Sequence, residues 1–251
     1  MRNNKYGYIP QLPDQRDLQY KVDAPIQNLP PVVDLRAGCP PVYDQASLGS
    51  CVGNGVAAAI EFEQMKEKDP SYFMPSRLFV YYGARLIENT VKSDSGAQIR
   101  DGIKVVVNSG VCKESTWPYD ITKFAKKPPT VAYKEALKYK ALVYSAVAQD
   151  ENSVKQCLAN GDVIVFGFTV YSSFESQEVA KTGIMPMPAP NEKVLGGHCV
   201  VAVSYNDNTQ MIGVRNSWGS EWGNLGYFEM PYKFFFSNQT SDFWSIKKVM
   251  I

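Results

Sequence analysis

Histidine is almost missing from this chain: its 251 residues include one, His198. With no cluster of histidine, cysteine and carboxylate at ligand spacing, a zinc mechanism is not expected and no metal or other cofactor is implied. Net charge is missing too, since 26 basic and 25 acidic residues nearly cancel. Nothing in that balance suggests nucleic acid or an anionic membrane as a partner. Long apolar runs are absent as well; those around Val163 to Val170 and Cys199 to Val203 fall well short of the about 20 residues that cross a bilayer. The first residues, Met1-Arg2-Asn3-Asn4-Lys5, give a basic start with no apolar stretch after it, so no secretory leader is visible. Regular cysteine spacing and internal repeats are also lacking. The cysteines are Cys39, Cys51, Cys112, Cys157 and Cys199. With Cys51 set aside, the other four could pair in three ways or not at all. What remains is a soluble globular chain, expected to be monomeric and long enough for one large core or two smaller ones.

The most informative stretch is Asp44-Gln45-Ala46-Ser47-Leu48-Gly49-Ser50-Cys51, which leads into Val52-Gly53-Asn54-Gly55-Val56-Ala57-Ala58-Ala59-Ile60. The spacing of Val52, Val56, Ala59, Ile60 and Glu63 predicts a helix that opens at Cys51 with one apolar and one charged face. A thiol at a helix N-terminus sits at the positive end of the macrodipole. That favours the thiolate and should lower a pKa that is otherwise about 8.5. A buried structural cysteine is the competing reading, because free cysteine usually behaves as a small hydrophobe.

His198 lies in Leu195-Gly196-Gly197-His198-Cys199-Val200-Val201-Ala202-Val203, which reads as a buried strand with the histidine at its start. Any cysteine chemistry that needs an imidazole must use this residue. Asn216, in Asn216-Ser217-Trp218-Gly219, follows the apolar segment Met211 to Val214 and could fix the ring's tautomer and orientation, although Asn, Ser and Gly are also ordinary turn residues. Trp218 beside the pair would exclude water and strengthen their hydrogen bond.

Gln45 through Cys51, Gly197-His198 and Asn216-Ser217-Trp218-Gly219 together resemble the signature of papain-like cysteine peptidases, in the same chain order. The resemblance runs from about Asp34 to Tyr227. It implies an α+β, two-domain papain-like fold: an N-terminal extension over residues 1–33, a mainly helical domain over 34–125 carrying Cys51, and a β-rich, antiparallel, barrel-like domain over 126–251 carrying His198 and Asn216. The active site would lie in the cleft between the domains and take polypeptide substrates. Catalysis would fall to Cys51, His198, Asn216 and Gln45, whose side-chain amide would join the Cys51 N–H in an oxyanion hole. Gly96 and Ile99 are implied at a substrate-binding loop and pocket, and Gly197, Cys199 and Trp218 beside the substrate.

Leu48 stands where many secreted relatives carry a disulfide cysteine, which favours reduced thiols and an intracellular setting. Residues 1 to about 33, with Pro10, Pro13, Pro25, Pro30 and Pro31, show no helical or alternating period and should be extended. The long helical prodomain of secreted relatives has no counterpart here, and this short segment is expected to cross or border the cleft in its place. Other cysteine acyl-transfer enzymes, transglutaminase-like or amidase-like, more typically orient the base with Asp. A catalytically silent papain-like binding protein is the remaining alternative.

Overall fold

The computed structural model describes residues 5–21, 25–68 and 72–249; the basic start at Met1 to Asn4 lies outside them. The first four helices are α1 (Cys51–Lys66), α2 (Arg77–Ile87), α3 (Ile99–Asn108) and α4 (Thr130–Ala136). Further along lie α5 (Glu151–Ala159), α6 (Gln177–Thr182) and α7 (Tyr232–Phe235). The strands are β1 (Val32–Asp34), β2 (Ala141–Ala146), β3 (Ile164–Tyr171), β4 (Val194–Asn206), β5 (Met211–Arg215), β6 (Tyr227–Pro231) and β7 (Thr240–Val249).

The expected helix entry at Pro75-Ser76 is present. Ser76 Oγ accepts from the Phe79 N–H at 3.2 Å, an N-cap that satisfies one of the four donors a helix start leaves open. Helix α1 does begin at Cys51, but it does not have one charged face: every residue from Cys51 to Gln64 is buried. The reason is its central place, with α2 and α3 on one side and β4 and β7 on the other. Its buried acids are therefore partnered, Glu61 by the Tyr43 hydroxyl and Glu63 by Lys66.

All strand pairings are antiparallel, in the order β2-β7-β3-β4-β5-β6, with β1 added beside the far end of β4. The fold is α+β, as expected, yet the sheet is not closed into a barrel: β2 and β6 are its two ends. Period-two alternation divides the core. Val165, Cys199, Val201 and Trp244 pack with α1, whereas Phe166, Phe168, Val200 and Ala202 point to the opposite face. Strand β4 starts at Val194, so His198 sits inside a strand, opposite Phe168 of β3, and not at its beginning. The five cysteines are all free thiols.

Candidate active site

The approach to α1 is held in place by its own polar groups. Gln45, wholly buried, donates from Nε2 to the Leu48 carbonyl at 2.9 Å, and its Oε1 accepts from Ser217 Oγ at 2.6 Å. The backbone adds a second link across the same gap: Gln45 N–H donates to the Ser217 carbonyl at 2.8 Å, and Gly219 N–H to the Tyr43 carbonyl at 2.8 Å. These bonds tie the loop that precedes Cys51 to the loop that carries Asn216. Ser217 is a site residue that the sequence reading missed; only its place in the Asn216-Ser217-Trp218 turn could have pointed to it.

Across from α1, the His198 Nε2 and Asn216 Oδ1 atoms are 2.8 Å apart. The same Oδ1 accepts from the Ser217 backbone N–H at 2.8 Å, and since that group can only donate, the asparagine atom facing His198 is the oxygen. Nε2 therefore carries the proton. His198 Nδ1 is left as an acceptor, buried and without a hydrogen-bond partner among the described residues. Trp218 stacks on the ring with centroids 5.0 Å apart at 26°, and Phe168 meets it edge-on at 5.8 Å. Trp218 is itself almost wholly buried where it covers the ring.

The extended N-terminal segment runs through the site. Residues 5–9 form a strap whose Tyr8 pairs with Ala97: Ala97 N–H donates to the Gly7 carbonyl at 2.8 Å and Ile9 N–H to the Ala97 carbonyl at 3.1 Å. On the other side Tyr8 N–H donates to the Gly197 carbonyl at 2.9 Å. The Lys5 carbonyl accepts from Gln45 Nε2 at 3.3 Å, and Lys5 Nζ reaches Asp94 at 2.9 Å. Tyr6 covers His198 edge-on at 6.0 Å and hydrogen-bonds Glu175. Ala97 acts through its backbone alone, so no side-chain motif could have singled it out.

Burial reverses the expected electrostatics. Burial pushes the Cys51 thiol up to about 11, only partly offset by the backbone N–H groups of Cys199, Gly7, Val52 and Cys51 itself. Burial likewise pushes His198 down to about 4, against the smaller opposing effect of the Asn216 hydrogen bond. The lowered thiol pKa expected from the helix terminus is thus not found in this state. Desolvation outweighs the macrodipole, and both the thiol and the imidazole are held neutral.

Of the remaining expected positions, Gly96 and Gly197 touch the strap. A Cβ on Gly96 would lie 2.3 Å from the Gly7 carbonyl oxygen, and one on Gly197 would lie 2.6 Å from the Tyr8 carbonyl oxygen. Cys199, on the same face of β4 as Gly197, packs further along against α1, where its sulfur lies 3.0 Å from the Cβ position of Gly55. Ile99 is wholly buried in the same core cluster. Among the described residues no group of three or more His, Cys, Asp and Glu could hold a metal ion, and no helix is long and apolar enough to cross a membrane.

Comparison with known proteins gives consistent results. The model of the papain family of cysteine proteases matches residues 29–240. The crystal structure of xylellain, a cysteine protease from Xylella fastidiosa, is 44% identical and has a TM-score of 0.91, covering 98% of this chain and 97% of that one. An uncharacterized peptidase C1-like protein of Acanthamoeba polyphaga mimivirus is 42% identical, over 98% of this chain and 88% of the viral protein. Cysteine proteinase 3 of Entamoeba histolytica is 27% identical over 82% of this chain, which spans 64% of that relative's length.

Proposed function

Because the chain belongs to the papain family of cysteine proteases, we propose that Cys51 is the nucleophile of an endopeptidase and that residues 5–9 hold its site closed until they are displaced. The observation that carries the reading is the hydrogen bond between His198 Nε2 and Asn216 Oδ1, which leaves Nδ1 unprotonated and without a partner, available as the base for Cys51. The helical part, residues 34–125, supplies Cys51 and Gln45; the β-rich part, residues 126–251, supplies His198 and Asn216.

Once the strap is displaced, water and a polypeptide enter and the desolvation that keeps both groups neutral is relieved. The Cys51 proton passes to His198 Nδ1, and the thiolate attacks the peptide carbonyl carbon. Negative charge collects on the carbonyl oxygen, where Gln45 Nε2 and the Cys51 N–H receive it. Gln45 Nε2 already donates to a carbonyl oxygen, that of Lys5, and its other bonds hold it rigid, so the donor is preorganised. His198 then protonates the leaving amine as the C–N bond breaks. Water, deprotonated by the same ring, attacks the thioester carbonyl and releases Cys51.

Labelling with an epoxide-type thiol inactivator near neutral pH, mapped by mass spectrometry, tests both halves of the reading. Cys51 is expected to react selectively once the strap is unseated and only slowly in the intact chain. No modification of Cys51 in either form would identify a silent binding protein instead. Equal, rapid modification in both would remove the closing role of residues 5–9.

Asn216→Ala should be milder than loss of the base. It frees the ring without removing the proton carrier, so kcat should fall by less than the about 10²–10⁴-fold that general acid–base catalysis contributes. Steady-state kinetics with a fluorogenic peptide checks this. A loss as large as that of a His198 variant would mean that Asn216 does more than orient the ring.

A further inference from the structure

The turn that leads into α1 depends on one peptide plane, that between Leu48 and Gly49. A trans peptide points its carbonyl and its N–H in opposite directions, and here both are bonded. The Leu48 carbonyl accepts from Gln45 Nε2 at 2.9 Å and from the Ser50 N–H at 2.8 Å. The Gly49 N–H donates to the Asp94 carboxylate, 3.1 Å from Oδ1 and 3.2 Å from Oδ2. Leu48 and Gly49 are buried, so these backbone groups need partners within the protein. Turned over, the plane would set the Leu48 carbonyl against a carboxylate and take the acceptor away from Gln45. The cysteines are free thiols, so no covalent link fixes the turn instead.

Asp94 is itself held. The Tyr81 hydroxyl of α2 donates to Oδ1 at 2.6 Å, and Lys5 Nζ of the strap donates to Oδ2 at 2.9 Å. Burial raises the carboxyl, but the hydrogen bonds from Tyr81, Lys5 and the Gly49 N–H outweigh it and keep Asp94 below its ordinary range, an anion at neutral pH. One turn along α2 from Tyr81, the wholly buried Arg85 donates to the Val91 and Ser93 carbonyls at 3.0 and 2.9 Å. Its guanidinium also lies over the Tyr81 ring, 4.0 Å from the centroid. Arg85 thus fixes the residues just before Asp94, and Tyr81 fixes the carboxylate. When the strap lifts, Lys5 goes with it; the bonds to Tyr81 and Gly49 belong to the body of the fold and stay.

We propose that Asp94 is a positioning residue of the peptidase reaction: through the Leu48–Gly49 peptide it holds Gln45 Nε2 in the orientation that stabilises the oxyanion. The Gln45 amide nitrogen carries two hydrogens. With one spent on the Leu48 carbonyl, the other is aimed at the Lys5 carbonyl oxygen 3.3 Å away, whose place the substrate oxygen takes. The Ser217 hydroxyl on Oε1 fixes only one end of the amide. Without Asp94 the Leu48 carbonyl can swing, and the second hydrogen swings with it.

The proposal rests on the peptidase reading, and kinetics in the full-length Gly7→Ala chain, in which the strap cannot seat, separates the two. Asp94→Ala in that chain should lower kcat about tenfold and leave KM within about twofold, the split expected of an interaction made only in the transition state. Asp94→Asn keeps an oxygen for Tyr81 and the Gly49 N–H but loses the charge. Since a charged acceptor bonds about twice as strongly as a neutral one, its kcat should fall between the two. The decisive measurement is a double-mutant cycle with Gln45→Ala, which alone should cost about 10²–10³ in kcat. On top of it Asp94→Ala should cost less than about twofold more, because the group it orients is gone. The cycle run with Asp94→Asn reads the same coupling if the alanine variant does not fold. Losses that multiply in full, a rise in KM alone, or an Asp94→Ala chain as fast as its parent each overturn the proposal and leave the peptidase reading intact. No cleavage by the Gly7→Ala chain, together with no labelling of Cys51, overturns both.

Discussion

Cys51→Ala is expected to reduce turnover on the order of 10⁶-fold, to the background of the uncatalysed reaction, because no other group in the site can form the thioester. The effect should be read in a chain whose strap is unseated, where the parent is open. The remaining thiols cannot substitute: Cys199, the residue after His198, points into the core against α1, and burial raises it well above the ordinary thiol range. The fold should survive, since the variant removes one sulfur from the start of a helix buried on all sides and creates only a small void. Thermal unfolding should shift by no more than about 4 °C, the equivalent of about 1 kcal/mol in a chain of this size. Peptide turnover and a melting curve on the same sample check the pair of outcomes. Activity within tenfold of the parent would rule out the thioester route.

Gly7→Ala is expected to open the intact chain. A Cβ at residue 7 would lie 1.8 Å from the Gly49 carbonyl oxygen, a contact no real side chain makes. Gly49 cannot retreat easily, because its N–H is held by Asp94 at 3.1 and 3.2 Å and it directly precedes the turn into α1. The strap must lift instead, and with it go the Gly7 and Ile9 bonds to Ala97 and the Lys5 carbonyl on Gln45. Inactivator labelling of Cys51 at neutral pH should accelerate by at least about a hundredfold, the ratio that about 2.7 kcal/mol sets. The pH profile gives a second readout. A thiol pushed up to about 11 supplies thiolate only in strong alkali, so the intact chain should react appreciably only as pH climbs towards that value. The Gly7→Ala chain should react from a much lower pH, because Cys51 is again solvated at a helix N-terminus. Superimposable profiles would show that the strap does not control the thiol.

Much of the architecture was legible because it rests on local pattern. The helix from Cys51, the capped helix after Ser76 and the apolar strands around Val165 and Val201 all announce themselves by period or composition. Strand β7 did not, because Thr240-Ser241-Asp242-Phe243-Trp244-Ser245 has no unbroken apolar run and its alternation is interrupted by the bulge at Asp242. The open sheet was hidden for a different reason: closure depends on which strands meet, and no strand carries that in its own residues. The residues of the site could be named from three short motifs. Their state could not, because the direction of the Cys51 and His198 shifts is set by burial, which depends on elements far away in sequence. Tyr6 and Tyr8 carried no signal of their own, standing in a stretch without periodicity.

The strap is not an isolated peptide. Behind it the chain is fastened by Asp17 to Arg100, by Tyr20 to Asp162 at 2.6 Å, by Ile26 to Gln156 at 3.0 and 2.8 Å, and finally by β1 to β4. Its return to the cleft is therefore an intramolecular event, governed by an effective concentration that a short, well-anchored tether raises to the millimolar range or above. Under the proposed closing role, five residues would suffice in such a tether, and diluting the protein should not empty the site. The same five residues added as a free peptide at micromolar concentration compete poorly. Under the proposed closing role, a polypeptide substrate would have to win against a neighbour that never diffuses away, and release would depend on changing the tether or the strap itself and not on the supply of substrate alone.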